Sequence, residues 1–248
     1  MQLRWLVLLC LITVAAHAQE KPPAEPVTVI RAGRLLDPAS GEVRANQVIV
    51  VRGNRIAELL FEGAGRAIPS GPNVKVIDLS RATVLPGLID THTHIYLQGY
   101  YPDDYDTQLL KHGMALRTAR AVAAARRALE QGFTTIRDLE TEGAGYGDVG
   151  VKQAIEKGYV PGPRMLVVTR AISITGGYPL HGYDPEIKVP KGVQIIDGPV
   201  EARKAAREQM DNGADWIKVY MTHRSWLDKQ GNLVSQPTLT REEIDAII

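Results

Sequence analysis

Residues 84–95 read VLPGLIDTHTHI, an apolar, strand-like run ending in two histidines one residue apart. On a strand, residues i and i+2 point to the same face, about 6.5–7 Å apart along the backbone. Asp90, His92 and His94 therefore share one face, and Ile89, Thr91 and Thr93 the other. Two readings stay open on these residues alone. The pair is either two hydrogen-bonded polar residues at a strand end or a clip of two imidazoles for a zinc-like ion.

Upstream, Arg4, the apolar run 5–14 and the A-x-A site at 16–18 have the order of an export signal. The apolar run is too short to span a bilayer, and Cys10 lies inside it, where a lipid anchor is not expected. Cleavage after Ala18 would remove Cys10, the one cysteine, together with His17. The predicted location is periplasmic or secreted, with a fold that needs no disulfide. Loss of Arg4 from the 29 basic residues would leave them balanced against the 28 acidic ones. That neutrality gives no basic patch for nucleic acid, and after cleavage no segment for a membrane. A small-molecule enzyme fits it, and so does a binding protein.

After a proline-rich spacer at 20–26, β-branched runs at 27–37, 46–59 and 73–79 are separated by Gly, Pro and Asn. They predict a small β-domain over 19–83, here expected to be sandwich-like. From residue 84 the rhythm becomes strand, loop, helix. Strands are expected at 84–95, 133–139, 164–169 and 214–220. Helices are expected at about 106–131, 148–157 and 199–212, and a last one opens with a Thr240–Glu243 capping box. Repeated strand–helix units imply an α/β fold with a parallel sheet, and four units are half of a (β/α)8 barrel. Residues 84–248 are fewer than the roughly 250 of a complete barrel. The expectation is the N-terminal part of a longer enzyme, with a dimerising half-barrel as runner-up.

In DWIKVY (215–220), Ile217 and Val219 face one way, and Trp216, Lys218 and Tyr220 the other. With the apolar pair against the helices, Lys218 projects inward near the strand's C-terminal end, where barrel enzymes place their sites. A lysine in a dry interior has a reactive neutral amine, which carbon dioxide can convert to a metal-bridging carbamate. The alternative is a lysine snorkelling to solvent.

LPGLIDTHTH after a small β-domain, then GFTTIRDLE, then ADWIKVY, resembles the amidohydrolase superfamily, in its imidazolonepropionase-like and Xaa-Pro dipeptidase-like branch. The resemblance runs from about residue 27 to the end. It implies that His92 and His94 bind one divalent metal, that Lys218 is the carboxylated bridge to a second, and that both ions are zinc. It also implies two further histidines on the fifth and sixth strands and a proton-accepting aspartate on the eighth, all beyond residue 248. His223 follows Lys218 too closely, in an expected loop, to be the fifth-strand ligand.

In ITGGYPLHGY (174–183), relatives often carry Gly-Gly-His; here Tyr178 follows the glycines and His181 comes three residues later. His181 is the candidate substrate contact, against a plain surface histidine. Asp138 is expected either to orient a ligand histidine or to bond loop amides, Asp90 to be hydrogen-bonded rather than metal-bound, and His112 to be solvated on the long helix. The implied activity is metal-dependent hydrolysis of the amide bond of a dipeptide or N-acyl amino acid. A cyclic-amide hydrolase and a non-catalytic extracytoplasmic binding protein are the alternatives, and a homo-oligomer is left open.

Overall fold

A computed structural model of the protein describes residues 25–248 apart from 64, 100, 179 and 181, with all their side chains but those of 223 and 224. The segment 1–18, expected to be an export signal, and His181 lie outside the described residues. The chain divides into two compact units at Pro86/Gly87.

In the first unit, β1 (Val27–Leu36), β2 (Val43–Arg52), β3 (Arg55–Phe61) and β4 (Val74–Val84) form one sheet in the order β3-β2-β1-β4. The expected single run at 46–59 is a hairpin, because Gly53 takes a left-handed turn with φ 57° between β2 and β3. Val29, Val48, Val50 and Leu60 are its buried core. This is one four-stranded sheet, without the second layer of a sandwich among the described residues. β4 also runs further than residue 79, since Thr83 and Val84 still pair with Arg34 and Leu35. The next strand accordingly begins at Leu88 rather than at 84.

The second unit is α/β. β5 (Leu88–Thr93), β6 (Phe133–Asp138) and β7 (Arg164–Val167) form a parallel sheet in that order. The connections carry α1 (Tyr105–Leu110), α2 (Met114–Glu130) and α3 (Gly147–Glu156). The helix expected over 106–131 is two helices, because the chain is extended at Gly113 (ψ 154°), the N-cap of α2. His112 falls in that break, with its side chain 16% exposed and 3.7 Å from Asp103, so it is neither helical nor solvated. The buried face of α2 is Arg117, Ala121 and Ala125, at i, i+4 spacing. Ala121 packs with Ile95, Tyr96, Ile136, Met165 and Val167 in one buried cluster.

Past β7 the ladder breaks at Thr169, a β-branched residue at φ 64°. β8 (Ile172–Ser173) then pairs with β9 (Gln194–Ile195). The segment expected as a fourth strand bonds only on either side of the break. Asp215 N donates to Val167 O (2.8 Å), Ile172 N to Lys218 O (2.8 Å) and Tyr220 N to Ile172 O (3.0 Å). Residues 214–220 are therefore a broken parallel pairing rather than a continuous strand. Ile217 and Val219 nonetheless pack on the cluster of Ile172, Ile196, Ala202 and Ala205, beside α4 (Pro199–Asp211) and α5 (Arg241–Ile247). The Thr240–Glu243 capping box opens α5. Between them, β10 (Thr222–Leu227) and β11 (Leu233–Pro237) form a hairpin, so His223 lies on a strand rather than in a loop. Asp228 makes that turn by accepting from the amides of Gln230 and Asn232. Among the described residues no helix is long and apolar enough to cross a membrane.

Gly147, the first residue of α3, admits no side chain: a Cβ there would lie 2.6 Å from Cζ of Tyr96, which is 1% exposed and cannot swing away. Gly147→Ala is expected to lower stability by about 1–3 kcal/mol in a urea titration. An unshifted midpoint would show that this packing is looser than described.

Candidate metal centre

The site forms where β5 and β6 end, at the carboxyl edge of the parallel sheet, the usual ligand side of α/β folds. His92 lies within β5 and His94 one residue past its end. Their Nε2 atoms stand 3.3 Å apart and their ring centroids 5.2 Å apart. Two nitrogens each about 2.0–2.1 Å from a tetrahedral zinc are themselves about 3.3–3.4 Å apart, so this donor pair fits one ion. Partial burial, then the positive charges of Lys218 and His94, hold the His92 imidazole below its ordinary range. A neutral ring is the form that binds metal.

Lys218 is half-buried rather than sealed in a dry interior, and its Nζ lies 5.2 Å from the centroid of the Tyr220 ring. Its charge acts on both His92 and Glu140. Lys218 thus stands in the same neighbourhood as His92 and His94. Asp90 accepts from the His92 amide at 3.0 Å, a local bond within the strand.

Asp138 ends β6 fully buried. Its Oδ1 accepts from Ile95 N (2.8 Å) and Thr93 Oγ1 (3.2 Å), the residues on either side of His94. It holds the backbone that carries the histidine and does not bond the ring. Burial pushes its carboxyl well above the usual carboxylate range, and Oδ2 has no hydrogen-bond partner, which suits a protonated acid.

Behind the histidines lies an acidic and phenolic shell that the strand periodicity does not single out. His94, Glu140 and Glu142 bring one ligand atom each within 4.8 Å of one another. Glu140 Oε2 accepts from Tyr220 Oη at 2.6 Å. Glu142 Oε2 accepts from Tyr105 Oη (2.7 Å) and Tyr178 Oη (2.8 Å). Burial and then the Glu142 charge push the Glu140 carboxyl up to about 9. Burial and the adjoining carboxylates raise all three phenols and keep them protonated. The available signal was LETEG (139–143), whose two glutamates alternate at a strand end as the histidines do.

The amidohydrolase family profile matches residues 83–248, and the chain belongs to that family. Over 209 residues it is 35% identical to the ochratoxinase of Aspergillus niger, covering 78% of this chain and 42% of that one. It is 27% identical over 148 residues to the imidazolonepropionase of Symbiobacterium thermophilum, covering 48% of this chain and 35% of that one. A solved Xaa-Pro dipeptidase with methionine bound in its active site superposes with a TM-score of 0.73 at 31% identity, over 89% of this chain and 53% of that one. The chain thus spans about half the length, or less, of these relatives.

Because burial already favours the neutral acid, Asp138→Asn keeps an acceptor for Ile95 N and should melt within a few degrees of native. Asp138→Ala strands that buried amide and should cost about 1–3 kcal/mol. Calorimetry of the two variants checks this, and equal losses would contradict it.

Proposed function

We propose that this chain carries the first metal-binding half of an exported amidohydrolase that cleaves an amide bond, with a dipeptide or N-acyl amino acid as leading substrate. Residues 87–248 then correspond to the first four strand–helix units of a (β/α)8 barrel. The observation that carries this reading is the 3.3 Å approach of the His92 and His94 Nε2 atoms, with Lys218 close enough to act on His92. The relatives support the reaction class, and the expected export signal favours a peptide over a cyclic amide.

Two divalent ions, on this reading zinc, would acidify a water and polarise the substrate carbonyl when bound. His92 and His94 would hold the first ion through neutral imidazoles. Lys218 would help hold the second ion as a carbamate, formed when its neutral amine adds to carbon dioxide and a proton is lost to water, with one negative charge shared by two oxygens. Tyr178 lies just past the Gly176–Gly177 pair, and its ring packs 5.0 Å from that of Tyr220. These rings screen the buried carboxylates behind the site. His181, three residues further along the sequence, remains the proposed substrate contact.

The double variant His92→Ala/His94→Ala should lose at least one metal per chain by elemental analysis; unchanged content would refute the assignment. Lys218→Ala should lose metal and turnover together, with partial recovery on adding acetate or propionate. Lys218→Arg should not recover, because a guanidinium stays charged and fills the space. A fully active Lys218→Ala enzyme would reduce the lysine to a structural role.

A further inference from the structure

Glu142 occupies an unusual position. It is 4% exposed, and its backbone sits at φ 51°, a left-handed conformation that a non-glycine residue adopts only when its surroundings impose it. The surroundings are visible. From α2, the buried Arg117 guanidinium donates to the carbonyl oxygens of Thr141 (3.2 Å) and Glu142 (2.5 Å). Gly143 N donates to Gly192 O at 3.2 Å. The hydroxyls of Tyr105 and Tyr178 converge on Glu142 Oε2 from two separate segments. A methyl added at Gly192 would lie 2.6 Å from Tyr105 Oη and 3.0 Å from Glu142 Oε2, so this clamp is tightly closed.

With Oε2 so occupied, Oε1 is left facing His94 Nδ1 at 3.6 Å. The Glu140 carbonyl oxygen is the other neighbour of that nitrogen, at 3.3 Å. Both are acceptors. A nitrogen that faces acceptors carries the proton, which leaves the Nε2 lone pair free on the side where His92 stands. The Glu142 charge adds basicity to the ring, as a carboxylate behind a metal-bound histidine does.

We propose that Glu142, clamped by Tyr105 and Tyr178, is a positioning residue that fixes His94 with Nδ1 protonated and Nε2 presented for metal. The proposal rests on the metal-binding reading for its purpose, but the tautomer belongs to the protein itself and is measured without metal. In Glu142→Gln, the two tyrosine hydroxyls claim the amide oxygen, and the amide N–H2 turns toward His94 Nδ1. That donor opposes the Nδ1 proton, leaving the Glu140 carbonyl oxygen as its remaining acceptor, so the balance moves toward the tautomer with its proton on Nε2, where the ion must bind.

The test uses nitrogen-15 imidazole NMR on the metal-free chain at about pH 8, above the ordinary histidine range, with zinc affinity taken by chelator competition. Native protein should show His94 mainly as the Nδ1–H tautomer. Glu142→Gln should shift the population toward Nε2–H and bind zinc about 10–100-fold more weakly. Tyr178→Phe, which keeps the charge but loosens the clamp, should weaken zinc by a smaller factor; this variant decides the matter if Glu142→Gln does not fold. A native His94 that is mainly Nε2–H would overturn the proposal. So would a Glu142→Gln protein, or failing it a Tyr178→Phe protein, with native tautomer and zinc affinity within about twofold of native. If native protein has the expected tautomer yet binds no zinc, it is the metal reading that fails and the positioning role that stands.

Discussion

The buried bond from Ile95 N to Asp138 Oδ1 is the constraint on which the site depends. β5 stops pairing with β6 at Thr93, and a strand end free of its ladder would leave His94 on a loose tail. Asp138 instead caps that end from the neighbouring strand, while Ile95 and Tyr96 sink into the core with Ile136 and Val167. His94 is thereby held between a fixed strand and a fixed core residue. Asp138 fixes where the His94 Cα lies, and the acceptors that face Nδ1 select among the few ring rotamers left.

A second constraint shapes the Lys218 side. Thr169 holds a left-handed φ because its amide donates to Asp148 Oδ2 (2.8 Å), its carbonyl accepts from Thr141 N (2.9 Å) and its hydroxyl bonds Gln209. Strain of this kind persists only where neighbours over-determine it. The break it makes in the ladder lets residues 215–220 anchor at Val167 and again at Ile172, with Lys218 and Tyr220 turned toward Glu140 and His92. The left-handed residues at 142 and 169 are joined through the Thr141–Thr169 hydrogen bond, so the carboxylate shell and the lysine segment share one support.

Periodicity made much of this legible. The alternation of Ile89, Thr91 and Thr93 against Asp90, His92 and His94 is enough to bring the two imidazoles together, and Ile217 with Val219 is enough to turn Lys218 away from the helices. Helices with strong caps or endings, such as α5 with its Thr240–Glu243 box, also follow from local chemistry. What stayed hidden was set by long-range bonds. Glu142 has no local reason to be buried beside His94; Tyr105 and Tyr178, 37 and 36 residues away, put it there. The split of the long helix at Gly113, the hairpin at Gly53 and the reach of β4 to Val84 are decided by turn geometry and cross-strand pairing rather than by hydrophobic pattern. The first unit's apolar alternation suggests a sandwich because a one-sided sheet and one layer of a sandwich have the same period.

The measurement that bears most directly on the central claim is anomalous diffraction at the zinc edge from crystals of the zinc-loaded protein. The account predicts a zinc peak about 2.0–2.1 Å from Nε2 of both His92 and His94, with continuous density joining Lys218 Nζ to a carbamate. Zinc bound instead to Nδ1 of His94 between Glu140 and Glu142, or at neither Nε2 atom, would contradict it.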